Sequence, residues 1–145
     1  MPSYPVVRHR GRNMLKPFIS LLDWLEKKPK LTWTLVLVYA SIIFIFSSMP
    51  YPPQPLKADT VLMKLITTIE HILEYFILGL LLLAGFRSGD GRMRENAVLL
   101  TIITATLYGL TDEIHQSFVP NRFPCIWDVL ADGVGASLGA FIGKR

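Results

Sequence analysis

Apolar residues fall into four long runs along the chain, separated by short polar or proline-rich connections. The runs are 31–49, 61–86, 96–119 and 126–143, and each approaches the roughly 20 residues that a helix needs to cross a bilayer. The first run carries no charged side chain, whereas each of the other three contains acidic residues. The pattern predicts an all-α fold, an integral membrane four-helix bundle.

The segment before the first run is basic and has a different pattern. Phe18, Leu22 and Leu25 recur there at helical spacing, with lysines on either side. This spacing predicts an N-terminal interfacial helix, which lies in the plane of the membrane surface. We therefore divide the chain into a basic cytoplasmic or interfacial segment at 1–30 and a four-span membrane domain at 31–145.

Composition and charge support a membrane protein and give its orientation. Hydrophobic residues make up 51% of the 145 residues, and the single cysteine excludes an internal disulfide framework. Twelve of the fifteen lysines and arginines lie before residue 31, between 87 and 94, or at the C-terminus. Positive loops stay in the cytoplasm, so both termini are expected there. Because these charges flank apolar runs and form no recognition surface, no nucleic-acid partner is expected.

Six of the eleven acidic residues and two of the three histidines lie inside the apolar runs. A charge at the centre of a membrane helix costs about 2.5–3.5 kcal/mol, so these groups need compensation and indicate function. The structural alternative is that the acids pair with Lys57, Lys64 or Arg122 and hold the bundle together. The eight groups are Glu70, His71, Glu74, Asp112, Glu113, His115, Asp128 and Asp132.

Helical phase indicates which groups share a face, because each residue turns a helix by about 100°. Tyr108, Asp112 and His115 lie within about 60° of one another, at helical positions 0, 4 and 7. Glu113 points well away from these three and is the weaker candidate. Two turns of helix that carry an acid, an imidazole and a phenol on one face are costly as packing material, so this stripe is the strongest candidate site.

The second and fourth runs each add an acidic stripe. Glu70 and Glu74 share a face of the second run, and Asp128 and Asp132 share a face of the fourth. In the predicted orientation, all the stripes lie in the outer half of the membrane, since they are near the outer ends of their helices. The sequence therefore predicts a polar pocket that opens to the outside.

Small residues at four-residue spacing mark the fourth run as a packing surface. Gly135, Gly139 and Gly143 lie on one helical face. Glycines at this spacing allow a neighbouring membrane helix to approach closely.

Four short motifs occur in a fixed order over most of the chain. They are FSSMP at 46–50, HILEY at 71–75, YGLTDEIHQ at 108–116, and D-x3-D-x2-G starting at residue 128. With these motifs the chain resembles the VanZ-like family of small membrane proteins over about 38–143.

The resemblance implies a four-helix protein of the bacterial cell envelope in the cytoplasmic membrane. Some members of the family are linked to lowered susceptibility to glycopeptides such as teicoplanin. The family pattern has a basic residue just before the histidine and an asparagine in the fourth motif. This chain has Glu70 and Asp132 there, which gives these two residues less weight.

A binding function is the first hypothesis. The outer pocket would hold a lipid-linked or peptidoglycan-related group, with Arg122 clamping a phosphate or carboxylate and polar side chains donating hydrogen bonds. Membrane lipid is the expected environment, and oligomerisation stays open. The predicted binding residues are His71, Tyr75, Tyr108, Gln116, Arg122 and Asp128.

An enzyme acting on a lipid-linked envelope substrate is the alternative. Asp112 would orient His115 as a general base, and Glu74 would act as the acid. A divalent metal among Glu74, His115 and Asp128 is a variant of this hypothesis, and the sequence leaves both metal and cofactor open. Proton- or cation-coupled transport is less favoured, because no polar relay is seen at 78–83.

Overall fold

The computed structural model describes residues 15–50 and 60–144, and residues 1–14 of the predicted basic segment lie outside this part. The described part is helical and has no strand. Four of its helices are long and apolar enough to cross a membrane, which confirms the predicted all-α, four-span fold. The helices are α1 (Leu15–Glu26), α2 (Pro29–Ser47), α3 (Thr60–Arg87), α4 (Arg92–Glu95), α5 (Ala97–Gln116) and α6 (Ile126–Gly143).

Each long helix begins and ends within three residues of the predicted run. The largest difference is at the end of α5. The predicted run continued to Val119, but the helix ends at Gln116. Phe118 and Val119 donate their backbone N–H groups to carbonyls three residues earlier, which tightens the chain into a turn. Pro120 then disfavours the α-helical conformation of the residue before it.

α3 and α6 form the most extensively packed helix pair, and small residues lie between them. Gly135 and Gly139 of α6 each lie against a backbone carbonyl of α3, so closely that a Cβ atom would collide. On the α3 side, a Cβ at Gly79 would lie 2.7 Å from the carbonyl oxygen of Ala136. The predicted close approach at the glycine spacing is therefore confirmed.

The predicted N-terminal helix is present as α1, and it docks on the bundle. Leu22 and Leu25 are buried in a cluster with Leu80 and Ala84 of α3. The Thr32 hydroxyl of α2 donates a hydrogen bond of 2.7 Å to the Leu25 carbonyl, which ties α2 to the end of α1. The position of α1 in the membrane interface stays a prediction.

Large apolar side chains cover the outside of the bundle. Leu37, Leu73, Leu107 and Leu138, one from each long helix, are all about half exposed or more. A surface of this kind is stable in hydrocarbon and would aggregate in water. The four helices therefore fit a multi-pass protein surrounded by lipid.

The two ends of the bundle differ chemically. At one end, Arg87 donates a hydrogen bond to the Gly143 carbonyl and lies 3.5 Å from the Glu26 carboxylate. We call this the basic end. At the other end, α2 and α5 finish and α3 and α6 begin, and the buried acids are concentrated there. We call this the polar end.

Candidate functional site

A cavity of about 320 Å³ lies at the polar end, lined by residues of α2, α3, α5 and the turn after α5. It brings together five of the nine residues predicted for the site, and Glu70 and Ser47 also line it. The five are His71, Glu74, Asp112, Gln116 and Arg122; the four that do not line it are Tyr75, Tyr108, His115 and Asp128.

Asp112 forms a hydrogen-bonded bridge in the wall of this cavity. Its side chain is buried, and Oδ1 accepts a 2.5 Å hydrogen bond from the Ser47 hydroxyl. Oδ2 accepts a second bond, of 2.7 Å, from the Gln116 amide. Hydrogen bonds to a charged acceptor are stronger than neutral ones. Asp112 therefore joins the end of α2 to the end of α5.

His115 is directed toward α2 at a separate place. Its Nε2 atom lies 3.0 Å from the Ser48 hydroxyl, and its ring centroid is 4.4 Å from that of Phe44. Within residues 15–50 and 60–144, no hydrogen bond joins His115 to Asp112. The structure thus gives the two side chains different partners and does not form the predicted orienting pair.

Arg122 caps the end of α2 at the mouth of the cavity. Its Nη2 atom donates to the Phe46 carbonyl at 2.9 Å, and Nε donates to the Met49 carbonyl at 3.2 Å. Phe46 lies in the last turn of α2 and Met49 just beyond it, so these bonds tie the segment after α5 to the end of α2. Asn121 precedes it with a φ of 63°, in the left-handed region that asparagine tolerates. Arg122, which the sequence predicts to clamp an anion, thus directs two of its N–H donors to backbone carbonyls.

The two tyrosines lie one helical turn deeper in the bundle. Tyr75 is fully buried in the core, with its ring centroid 6.2 Å from that of Tyr108. Tyr108 donates a hydrogen bond of 2.6 Å from its hydroxyl to the Ala40 carbonyl of α2. Both side chains belong to the apolar core that lies next to the polar groups.

A second polar cluster lies between α3, α5 and α6, and His71 connects it to the cavity. The Nδ1 atom of His71 lies 2.8 Å from Oδ1 of Asp132. Asp132 is 1% exposed, and Gly109 of α5 makes room for it, since a Cβ there would collide with its carboxylate. Asp132 is thus a principal partner of His71, although the family comparison gave it less weight.

Glu113 and Asp128 complete this second cluster. Glu113 is 4% exposed, and its Oε2 atom accepts a 2.7 Å hydrogen bond from the Cys125 backbone N–H. One potential ligand atom each from His71, Glu113 and Asp128 lie within 4.8 Å of one another. This set replaces the predicted metal grouping of Glu74, His115 and Asp128. Glu113 does point away from Asp112, but it points toward α6 and not toward lipid.

Sequence reasoning assigned no role to Ser47 and Ser48, and it gave Glu113 and Asp132 less weight than the structure does. The helical phase of Glu113 relates it only to residues of its own helix and carries no information on the helix at its other side. The D-x3-D spacing was the available signal for the aspartates of α6, and the two serines of FSSMP mark the end of α2.

Negative charge predominates at the polar end. Of the ion pairs in which both partners are described, that of His71 with Asp132 lies there, and those of Glu26 with Arg87 and Arg94 lie at the basic end. Glu70 and Glu74 add two carboxylates to the cavity wall. The polar end thus offers hydrogen-bond acceptors and favours cationic or donor-rich groups.

The family comparison covers nearly the whole chain. The family model described as VanZ/LLP1 matches residues 12–144, which include all four spans and both polar clusters. Neither the search of curated proteins nor the search of solved structures gave a significant match.

Proposed function

The chain belongs to the VanZ/LLP1 family, and from that premise we propose that it is a binding protein of the bacterial cell envelope. Its polar end faces the outside of the cell, and both termini are in the cytoplasm. The cavity binds a polar group of a lipid-linked or peptidoglycan-related component. Lowered susceptibility to glycopeptides such as teicoplanin is the cellular outcome that the family resemblance supports.

The observation that carries this proposal is the cavity at the polar end. Its volume of about 320 Å³ falls within the range of small-molecule sites, which is about 300–1,000 Å³. Glu70 and Glu74 supply acceptors, while Arg122 directs donors to the α2 backbone. An amine- or hydroxyl-bearing head group therefore fits the wall better than the phosphate or carboxylate expected from the sequence.

Glu74→Gln tests the cavity with little change of shape. The protein is purified in detergent, and the lipid-linked components that remain bound are quantified by mass spectrometry. A hydrogen bond to a charged group is worth about 1.5–3 kcal/mol, so retention of amine-bearing components should fall about tenfold or more. Glu95→Gln, at the exposed short helix of the basic end, is the matched control and should retain them.

The same pair of variants is compared in a host in which the wild-type protein lowers teicoplanin susceptibility. At equal membrane levels, Glu74→Gln should restore susceptibility, whereas Glu95→Gln should not. Equal lipid retention by all three proteins would reject the binding cavity.

An enzyme remains the alternative because His71 both lines the cavity and contacts a buried carboxylate. Asp132 would orient the imidazole, which would then act as a general base toward a group in the cavity. This pair takes the place of the predicted Asp112–His115 pair. Turnover of a lipid-linked substrate that is lost in His71→Asn and retained in His115→Asn would favour the enzyme over the binding protein.

A further inference from the structure

We propose that His71, Glu113 and Asp128 bind one divalent transition-metal cation between α3, α5 and α6. The site is distinct from the cavity, although His71 contributes to both. Three helices each supply one ligand, so the cation would also join them at the polar end.

The geometry is close to that of a metal site. The three candidate ligand atoms lie within 4.8 Å of one another. Ligand atoms around tetrahedral zinc lie about 3.3 Å apart, given metal–ligand distances of about 2.0–2.1 Å. Each pair must therefore approach by at most about 1.5 Å. Most of this movement would fall to Asp128, whose side chain is only half-buried and can rotate, since the Cys125 N–H holds the Glu113 carboxylate.

A buried oxygen of Glu113 points independently to a ligand. Oε1 is buried and has no hydrogen-bond partner among the described residues, while Oε2 is held by the Cys125 N–H. A buried acceptor without a partner costs about 1–3 kcal/mol, and more when it is charged. The Cys125 contact fixes the carboxylate in place, and a bound cation would satisfy the remaining oxygen.

The environment of His71 is that of a metal ligand. Histidines that bind metals generally donate the other ring N–H to a carboxylate or carbonyl, which fixes the tautomer and the ring orientation. Nδ1 of His71 lies 2.8 Å from Asp132, so Nε2 is the nitrogen with a lone pair for the cation. Asp132 is itself held in the space that Gly109 leaves. The orientation of the imidazole is therefore built into the helix packing.

The charge balance also favours a cation. Glu113, Asp128 and Asp132 are three carboxylates in helices with apolar surroundings, and His71 is the only basic group that forms an ion pair with them in the described residues. As a metal ligand the imidazole is neutral and offsets none of these charges. A divalent cation would offset two of the three and so lower the cost of placing them in a membrane.

The donor set indicates the class of metal. One imidazole nitrogen with two carboxylate oxygens suits zinc, and manganese is the next candidate because carboxylates favour it. Three protein ligands leave an open position for water or for a ligand, as in zinc sites that take part in chemistry.

The test uses the full-length protein in detergent, with the purification tag removed and metals stripped with EDTA. Zinc alone and manganese alone are titrated by isothermal calorimetry, and bound metal is counted by elemental mass spectrometry. We expect one zinc per chain. Glu113→Gln keeps the shape of the side chain and should weaken zinc binding by at least the roughly 10–100-fold that follows loss of an outer-shell partner, since an anionic ligand is lost.

Matched variants separate the metal site from the cavity. His71→Asn should lose the zinc, whereas His115→Asn should keep it, since His115 lies at the α2 contact. Glu74→Gln should also keep the zinc while losing the cavity ligand. Thermal unfolding with and without zinc checks that each variant is folded and shows the stabilisation that a ligand of the native state provides.

The outcomes are distinct for the two proposals. The metal site would be overturned if the wild-type protein bound neither zinc nor manganese in the titrations, or if Glu113→Gln bound zinc with wild-type affinity. Either result would leave the cavity proposal standing. Normal zinc binding together with unchanged lipid retention in Glu74→Gln would overturn only the cavity proposal.

Discussion

Replacing Gly79 with alanine tests how closely α3 and α6 must pack. The new Cβ would lie 2.7 Å from the Ala136 carbonyl oxygen and 2.9 Å from its Cα atom. Raising 2.7 Å to the 3.4 Å at which ordinary contact begins requires the helices to separate by about 0.7 Å. Both obstacles are backbone atoms, which cannot rotate away. Overpacking of this kind costs about 1–3 kcal/mol.

Gly133→Ala is the matched control, because its Cβ would meet only one side chain, that of Thr106, with the hydroxyl at 3.1 Å and the methyl carbon at 3.9 Å. The Thr106 side chain has to shift by only about 0.3 Å to restore ordinary contact at 3.4 Å, so this variant should keep much of the gain of up to about 1 kcal/mol that alanine has over glycine in a helix. Unfolding temperatures measured in detergent should therefore fall for Gly79→Ala and stay equal or rise for Gly133→Ala. At about 2–4 °C per kcal/mol, the two variants should differ by several degrees. Equal unfolding temperatures would refute the close packing of this helix pair.

Three further predictions concern α1, the orientation and the α2–α5 bridge. Thr32→Val removes the buried hydrogen bond to α1 and should cost about 1 kcal/mol or more in unfolding measurements, whereas the exposed Thr34→Val should change stability by under about 0.5 kcal/mol. A membrane-impermeant maleimide should label the native Cys125 in intact cells; a Cys125→Ser, Asp90→Cys protein should label only after permeabilisation, and the reverse pattern would invert the proposed topology. Asp112→Ala leaves the Gln116 amide without its acceptor, while the Ser47 hydroxyl can still donate to the Phe44 carbonyl, and it should lower the free energy of unfolding by about 1–3 kcal/mol; unchanged stability would contradict the bridge.

The sequence was sufficient to predict the four spans, because the length of an apolar run is a local property. The closeness of α3 and α6 could also be predicted, since glycine spacing on one helix marks a surface for another backbone. The polar pocket was expected from the depth of the acidic residues, and a cavity lined by Glu74 and Asp112 is present at that end of the bundle.

The partners of each polar group could not be predicted, because they depend on which helices are neighbours. Asp112 and His115 share a face, yet one contacts Ser47 and the other Ser48. Glu113 was given less weight because its phase differs from theirs, although the opposite side of α5 faces α6. Helical phase gives the direction of each side chain around its own helix axis. Which helix lies in that direction depends on how the helices pack.

The buried contact between His71 and Asp132 has a consequence for biosynthesis. α6 is the least apolar of the four spans, and it carries Asp128 and Asp132 in its first half. An aspartate adds up to about 2.5–3.5 kcal/mol to the insertion of an isolated helix, depending on its depth, so α6 is poorly suited to enter the bilayer on its own. α3 is synthesised earlier and brings His71, together with the carbonyl surface against which Gly135 and its neighbours pack. We therefore expect α6 to insert stably only when α3 is already in the membrane and can pack against it.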